Sequence, residues 1–281
     1  MTRKYNGVDY ILDESKHVVI LKPEYHNLLL NSKSAFQGFK LFGGSSIADI
    51  LETDSFKSQF GAFCHMARLK LPALQLKYIN AGVAVEPKIF EVLRKSSPDK
   101  KFDHIIASEV GYNYFKGLNE YIGGVPDGLI QADKNVLEMK AVNIKKYDQW
   151  TRNNNSGVPT DYIKQAQLYA YLLNYKRFTI VAAFLEDGDY ADPEAIDLNQ
   201  RIVKTFPYKI NVEEAKDDIE KVEKFYKKYS VSGVSPQYEL PRDSDQVEYL
   251  RCRNEQEWEA LFNKWKAMGK VDKDLSFDKF K

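Results

Sequence analysis

The sequence predicts an α/β domain with an addition at each end. Three observations predict it. Apolar residues recur at helical spacing between Pro23 and Arg94; the period drops to two between residues 102 and 142; and a helical stretch at 160–176 crosses from those strands to two further β-rich runs, 177–185 and 201–210. Helices, then mixed strands with a crossover helix, then a closing helix is an α/β order.

Residues 5–22 hold two short β-rich runs around the polar "DESK", which predicts a hairpin. In "SSIADILETD", Ser45 or Ser46 can cap a helix that carries Ile47, Ile50 and Leu51. "SFKSQFGAFCHMARLKL" sets Phe56, Phe60, Phe63 and Ala67 at three- to four-residue spacing, which predicts one buried stripe. "VEPKIFEVLRK" repeats the pattern. Strands are expected at 102–108, 119–131 and 135–142, the last two paired antiparallel across "ADK". Turn-type residues at 153–157 predict a loop. "TDYIKQAQLYAYLLNYK" gives a helix with Ile163, Ala166, Ala170 and Leu173 as its apolar stripe. "VEEAKDDIEKVEKFYKKY" closes the core. A linker opens near Ser232, and a final helix groups Trp258, Leu261, Phe262 and Trp265.

Composition narrows the function. With 43% hydrophobic residues in 281, the chain can bury a large core. No apolar run approaches the ~20 residues of a membrane span, and the N-terminus lacks the pattern of a secretory signal. Two distant cysteines, Cys64 and Cys252, exclude a disulfide framework and a four-cysteine metal or iron–sulfur site, which suits a reducing cytoplasm. The four histidines form no short-spaced ligand pair. Net charge is only +1, yet residues 140–180 hold seven basic side chains against two acidic, and residues 181–222 five against eleven. That asymmetry fits a local surface for a polyanion, and equally a set of solvated helix faces.

Chemistry concentrates in "GVPDGLIQADKNVLEMK", 124–140. Asp127 sits in a Gly/Pro-flanked bend; Glu138 and Lys140, two apart on a strand, share one face. Neighbouring acids repel and are commonly reconciled by a metal ion or a shared proton. Glycosidases, aspartic proteases and metal-dependent nucleases all use two carboxylates. The lysine favours the third, because an ammonium beside the acids can orient the attacking water and stabilise charge building on a phosphate. Mg²⁺ prefers oxygen ligands, and Asp127, Glu138 and the Met139 carbonyl would suffice.

"VPDG…LEMK" resembles the signature of PD-(D/E)xK nucleases. The wider arrangement resembles their lambda exonuclease-like branch (YqaJ-type viral recombinases), related to the RecB nuclease domain. "FGGSSIADIL" is similar to the branch's small-residue/serine segment, "NAGVAVEPKIFE" to its Glu-Pro helix, and "YIKQAQLYAYL" to its glutamine/tyrosine helix. The resemblance covers about residues 35–190. It implies a restriction-endonuclease-like core, a central mixed β-sheet flanked by helices, between a hairpin extension (1–34) and a C-terminal linker and helix (232–281), with the nuclease domain at 35–231. It also implies a Mg²⁺-dependent deoxyribonuclease, with Mn²⁺ substituting, that resects duplex ends for phage or mobile-element recombination. Asp127, Glu138, Met139 and Glu86 would hold metal, and Lys140 would serve the water. Ser45, Ser46, Gln165, Gln167 and Tyr169 would face double-stranded DNA. Capping alone explains the serines equally well, and an exposed helix acid or a core aromatic remains an alternative for Glu86 or Tyr169. The expected partner is double-stranded DNA, with room for a homo-oligomer and for a single-strand-annealing recombination protein. A restriction- or junction-type endonuclease and a non-catalytic DNA-binding protein are the rival readings.

Overall fold

A computed structural model describes residues 3–280 apart from 33, 35, 45 and 156. In chain order the main elements are β1 (Tyr10–Asp13), β2 (Val18–Leu21), α1 (Pro23–Asn31), α2 (Ser46–Leu51), α3 (Gln59–Met66), α4 (Lys77–Ser96), β3 (Asp103–His104), β4 (Gly128–Ile130), β5 (Asn135–Asn143), α5 (Tyr147–Asn155), α6 (Thr160–Leu172), β6 (Arg177–Leu185), β7 (Ile202–Lys209), α7 (Val212–Ser232), α8 (Ser244–Arg251) and α9 (Glu255–Ala267). They fall into two compact units. One comprises residues 1–42, 46–75 and 221–281; the other comprises 43–45 and 76–220.

In the first unit β1 and β2 form the expected antiparallel hairpin. Asp13 closes its turn by accepting from the Ser15 and Lys16 backbone N–H groups. Helix α3 starts on Ser58, whose hydroxyl accepts from Gly61 N–H. Phe60 and Phe63 are buried as their spacing predicts, but Phe56 lies before the helix and is 87% exposed. On α9 the side chains of Trp258, Leu261, Phe262 and Trp265 are all buried.

The second unit is built on a five-stranded sheet in the order β3-β4-β5-β6-β7. β5 and β6 run parallel, joined through α5 and α6; the other pairings are antiparallel. The β4–β5 hairpin turns at Ala132-Asp133-Lys134, as expected. Two of the strands are much shorter than alternation suggests: 102–108 yields only Asp103–His104 and 119–131 only Gly128–Ile130. Turns fill the remainder of 105–118, where Gly111 and Gly117 are at positive φ. The loop expected at 153–157 begins later, because α5 runs on to Asn155.

Both faces of the sheet are covered. Leu137, Met139, Val181, Ala183 and Leu185 pack against Val85, Ile89 and Phe90 of α4. The opposite face sets Val136 and Phe178 against Ala166, Tyr169 and Ala170 of α6, and Ile180, Ala182 and Phe184 against Trp150 of α5. Both faces of β5 are buried, the one that carries Glu138 and Lys140 included: Glu138 is 1% exposed. Its acid lies inside the layer between sheet and helix.

Candidate active site

The geometry follows from where β4 ends. Its last pair with β5 is Gly128↔Leu137, so the Met139 N–H, two residues on, has no strand partner on that edge. Asp127, the residue before β4, fills the place: its Oδ2 accepts from Met139 N–H at 2.6 Å. A strand residue's N–H and C=O point the same way, so the Met139 carbonyl leaves β5 on the edge that Asp127 occupies. Gly128 is required here, since a Cβ would come 2.5 Å from the Phe90 ring and 2.8 Å from the Asp103 carbonyl.

On the face toward α6, Glu138 and Lys140 meet as their spacing predicts. Lys140 Nζ donates to Glu138 Oε1 at 2.5 Å, and Gln165 Nε2 of α6 donates to the same oxygen at 2.7 Å. The other oxygen, Glu138 Oε2, is buried with no hydrogen-bond partner among the described residues. A buried, unsatisfied carboxylate oxygen is costly and calls for a cation or a proton. The lysine amine also lies 4.7 Å from the centroid of the Tyr162 ring. Tyr162 was not singled out from the sequence, although it precedes Gln165 by one helical turn and therefore shares its face.

Electrostatics agree with the geometry. Burial, and then the charge of Glu138, push the Asp127 carboxyl well above its usual range; Lys140 opposes the shift. Burial also raises Glu138, against the pull of Lys140. Burial alone would depress the Lys140 amine, but Glu138 and Asp127 outweigh it and hold the amine charged. The cluster thus has two acids that resist joint ionisation and one fixed cation.

The remaining predicted residues divide. Glu86 of α4 is close enough to raise both acids, but its Oε1 is engaged by His104 Nε2 at 2.8 Å, and that imidazole stacks on Phe90 at 4.4 Å. Among the described residues no three His, Cys, Asp or Glu side chains gather as a metal-ligand group. Gln167 is buried away from the cluster, donating to Glu214 and accepting from the Asn211 N–H. Tyr169 is 1% exposed, which leaves its ring no surface to offer DNA; its hydroxyl accepts from the Gly44 N–H at 2.8 Å. Gly124, at φ +111°, leaves the space that this hydroxyl fills. Ser46 is buried as the first residue of α2, and Ser45 lies outside the described residues. Because Tyr169→Phe strands the Gly44 donor, it is expected to cost about 1–3 kcal/mol, read as a lower unfolding midpoint in urea.

Solved exonuclease structures share this arrangement of elements. LHK-Exo in complex with dAMP superimposes at a TM-score of 0.51 and 14% identity, over 69% of this chain and 89% of that one. LHK-Exo is an alkaline exonuclease from Laribacter hongkongensis. A phage-related exonuclease from Haemophilus somnus 129PT superimposes at a TM-score of 0.52 and 15% identity, over 68% and 94%. The chain has the lambda exonuclease-like nuclease fold. In sequence it is 24% identical over 256 residues to the uncharacterized protein MG373 of Mycoplasma genitalium, covering 78% of this chain and 88% of that protein. The homolog of MG373 in Mycoplasma pneumoniae is also 24% identical, over 254 residues, 75% of this chain and 89% of that protein. No family model matches. In this exonuclease-like fold the acid–lysine cluster lies at the end of the β4–β5 pairing, covered by α6. Among the described residues no helix is long and apolar enough to cross a membrane.

Proposed function

We propose that this chain is a divalent-metal-dependent exodeoxyribonuclease that shortens duplex DNA from its ends, in support of recombination in a phage or mobile element. One observation carries the reading: Glu138 Oε2 is buried without a hydrogen-bond partner among the described residues, beside a second raised carboxylate and a charged lysine. The exonuclease structures that share the fold support it.

The residues fit a hard divalent cation. Asp127, Glu138 and the Met139 carbonyl are oxygen donors of the kind Mg²⁺ takes, and Mn²⁺ accepts the same set. Such an ion would neutralise the paired acids, polarise the phosphate and lower the pKa of water. Glu86 would assist from α4 once released from His104.

The chain's own groups do the rest. Gln165 fixes Glu138 through Oε1 and so leaves Oε2 directed away from it. Lys140, held charged, is suited to stabilising negative charge on the phosphate oxygens and to orienting the water, rather than to taking its proton. Water adds to phosphorus, one P–O ester bond breaks, and the departing 3′ or 5′ oxygen leaves with a proton. Gln165→Leu should lower divalent-cation affinity or turnover by about 10–100-fold, measured by Mg²⁺ titration of the cleavage rate.

Linear, end-labelled duplex and a covalently closed circle test the whole reading, each with Mg²⁺ and with chelator. The expected result is mononucleotide release from the linear duplex alone, and only with metal. Nicking of the circle would point instead to an endonuclease on this core. Tight, steeply salt-dependent binding with no cleavage would establish a non-catalytic DNA-binding protein.

A further inference from the structure

The unit built from the two chain ends contains a second concentration of charge, none of it part of the acid–lysine cluster. A cavity of about 210 Å³ there is lined by five cations, Arg3, Lys4, Arg68, Lys70 and Lys279, and, among the described residues, by no carboxylate. Lys70 pairs with Asp49 at 2.5 Å and Lys4 with Asp9 at 3.5 Å. Lys279 makes no ion pair among the described residues. Arg3 lies over the Tyr249 ring at 3.9 Å and the Trp258 ring at 4.5 Å, and gives one Nη2 bond to the Tyr249 carbonyl. Its Nε and Nη1 are buried with no hydrogen-bond partner among the described residues, and the nearby Cys252 sulfur is only a weak acceptor.

Arg68 adds a backbone observation. It follows the C-cap of α3 at φ +60°, where its N–H returns to His65 O and the next N–H to Cys64 O. Glycine is the usual residue at that position, because a side chain there is strained. The chain keeps an arginine instead, with Nε donating to Gly38 O at 2.6 Å and the side chain on the cavity wall. The concentration of positive charge is felt nearby. Lys40 is pushed down by burial and by Arg68 and Lys70, and His65 is pushed down to about 4 by burial and then by Lys40.

Like charges gathered with unsatisfied donors destabilise a fold unless an anion joins them. Guanidinium and ammonium groups together match phosphate oxygens best. The cavity has room for several waters, enough for one phosphate and part of its sugar but not for a duplex. We propose that this cavity binds the phosphate of a nucleotide unit, either free or at one position of a single DNA strand. The proposal goes beyond the nuclease reading and does not depend on it.

The test uses the full chain in chelator, so that nothing is cleaved. Three probes are titrated by calorimetry: inorganic phosphate, a deoxynucleoside 5′-monophosphate, and a single-stranded oligonucleotide with 5′-hydroxyl ends. At least one should bind with Kd below about 1 mM. The double variant Arg68→Gly, Lys279→Gln should weaken that binding by about tenfold or more. Glycine suits the backbone at 68 but gives up the bond to Gly38 O, so the variant's ligand-free unfolding midpoint is measured alongside. The single variant Lys279→Gln, which loses no ion pair among the described residues, should weaken binding in the same direction with the midpoint unchanged. Tighter binding of the oligonucleotide identifies a strand as the source of the phosphate; equal or tighter binding of the monophosphate identifies a free nucleotide. Either result supports the site. Failure of all three probes overturns it, and so does binding that survives the double variant but is lost in Lys140→Met, which would place the ligand in the other unit.

Discussion

Lys140→Met is expected to lower Mg²⁺-dependent cleavage of linear duplex DNA by about 10³-fold or more, the cost of removing one fixed positive charge from a developing phosphate transition state. The variant will also be less stable without metal. Glu138 is almost fully buried and would lose its cationic partner, a change that costs on the order of 3–5 kcal/mol when nothing replaces it. Lys140→Arg separates the two effects. It restores charge beside Glu138 and therefore stability, but its broad fork cannot occupy the point position of an ammonium on the short path between Glu138 and Tyr162. Stability should return and the rate should stay low. Single-turnover cleavage and urea unfolding of the same preparations read both quantities. Rates within about tenfold of the parent in both variants would remove the lysine from the chemistry.

Asp127→Asn carries the second large effect, in stability. The folded-state pKa of Asp127 is raised well above its ordinary 3.8 by burial and by Glu138. A carboxyl raised on folding binds its proton more tightly in the native state. Its contribution is therefore fully present below the unfolded value and is lost as pH rises through the folded one. Metal-free parent protein should lose stability over that rise. The Asp127→Asn variant should not, since the amide keeps an oxygen for the Met139 N–H and has no charge to bury. At pH 8 without metal the variant should be more stable, on the order of 1–3 kcal/mol. Saturating Mg²⁺ or Ca²⁺ should reverse the order, adding about 4.1 kcal/mol to the parent at a thousand times Kd and little to the variant. Thermal unfolding across pH, with and without the ion, measures this. Parallel curves for the two proteins, unmoved by cation, would mean that Asp127 holds no metal.

Much of the site is visible in sequence because it depends on local rules. Strand periodicity alone puts Glu138 and Lys140 on one face, and the Ala132–Lys134 turn alone brings Asp127 alongside. What escaped depends on partners distant in the chain. Nothing near residue 138 announces that β6 will pair parallel to β5 and bring α6 down over Glu138; that burial is what raises the acids. The hydrogen bond from His104 to Glu86 joins a two-residue strand to a helix, and neither residue carries a spacing signal for the other. Tyr169 and Gln167 are expected at the site because "YIKQAQLYAYL" resembles the family's glutamine/tyrosine helix. Helical position could not reveal that the tyrosine's partner is Gly44 or that the glutamine caps the start of α7. Phe56 fitted a helical stripe, but the Ser58 cap starts α3 after it.

The division of the chain has a consequence for synthesis. The sheet-bearing unit is nearly contiguous, whereas the other is assembled from the first 75 residues, less three, and from everything after residue 220. Tyr10 and Asn6 bond to the Leu250 and Cys252 carbonyls, so the beginning of the polypeptide waits for its end. At ribosomal speeds that wait, the 240 residues between Tyr10 and Leu250, is roughly 10–50 s. Through it Tyr10, Phe60 and Phe63 have no finished core to enter. The nascent protein is most vulnerable to aggregation in that interval, and a chaperone that shields its opening segment would protect it most.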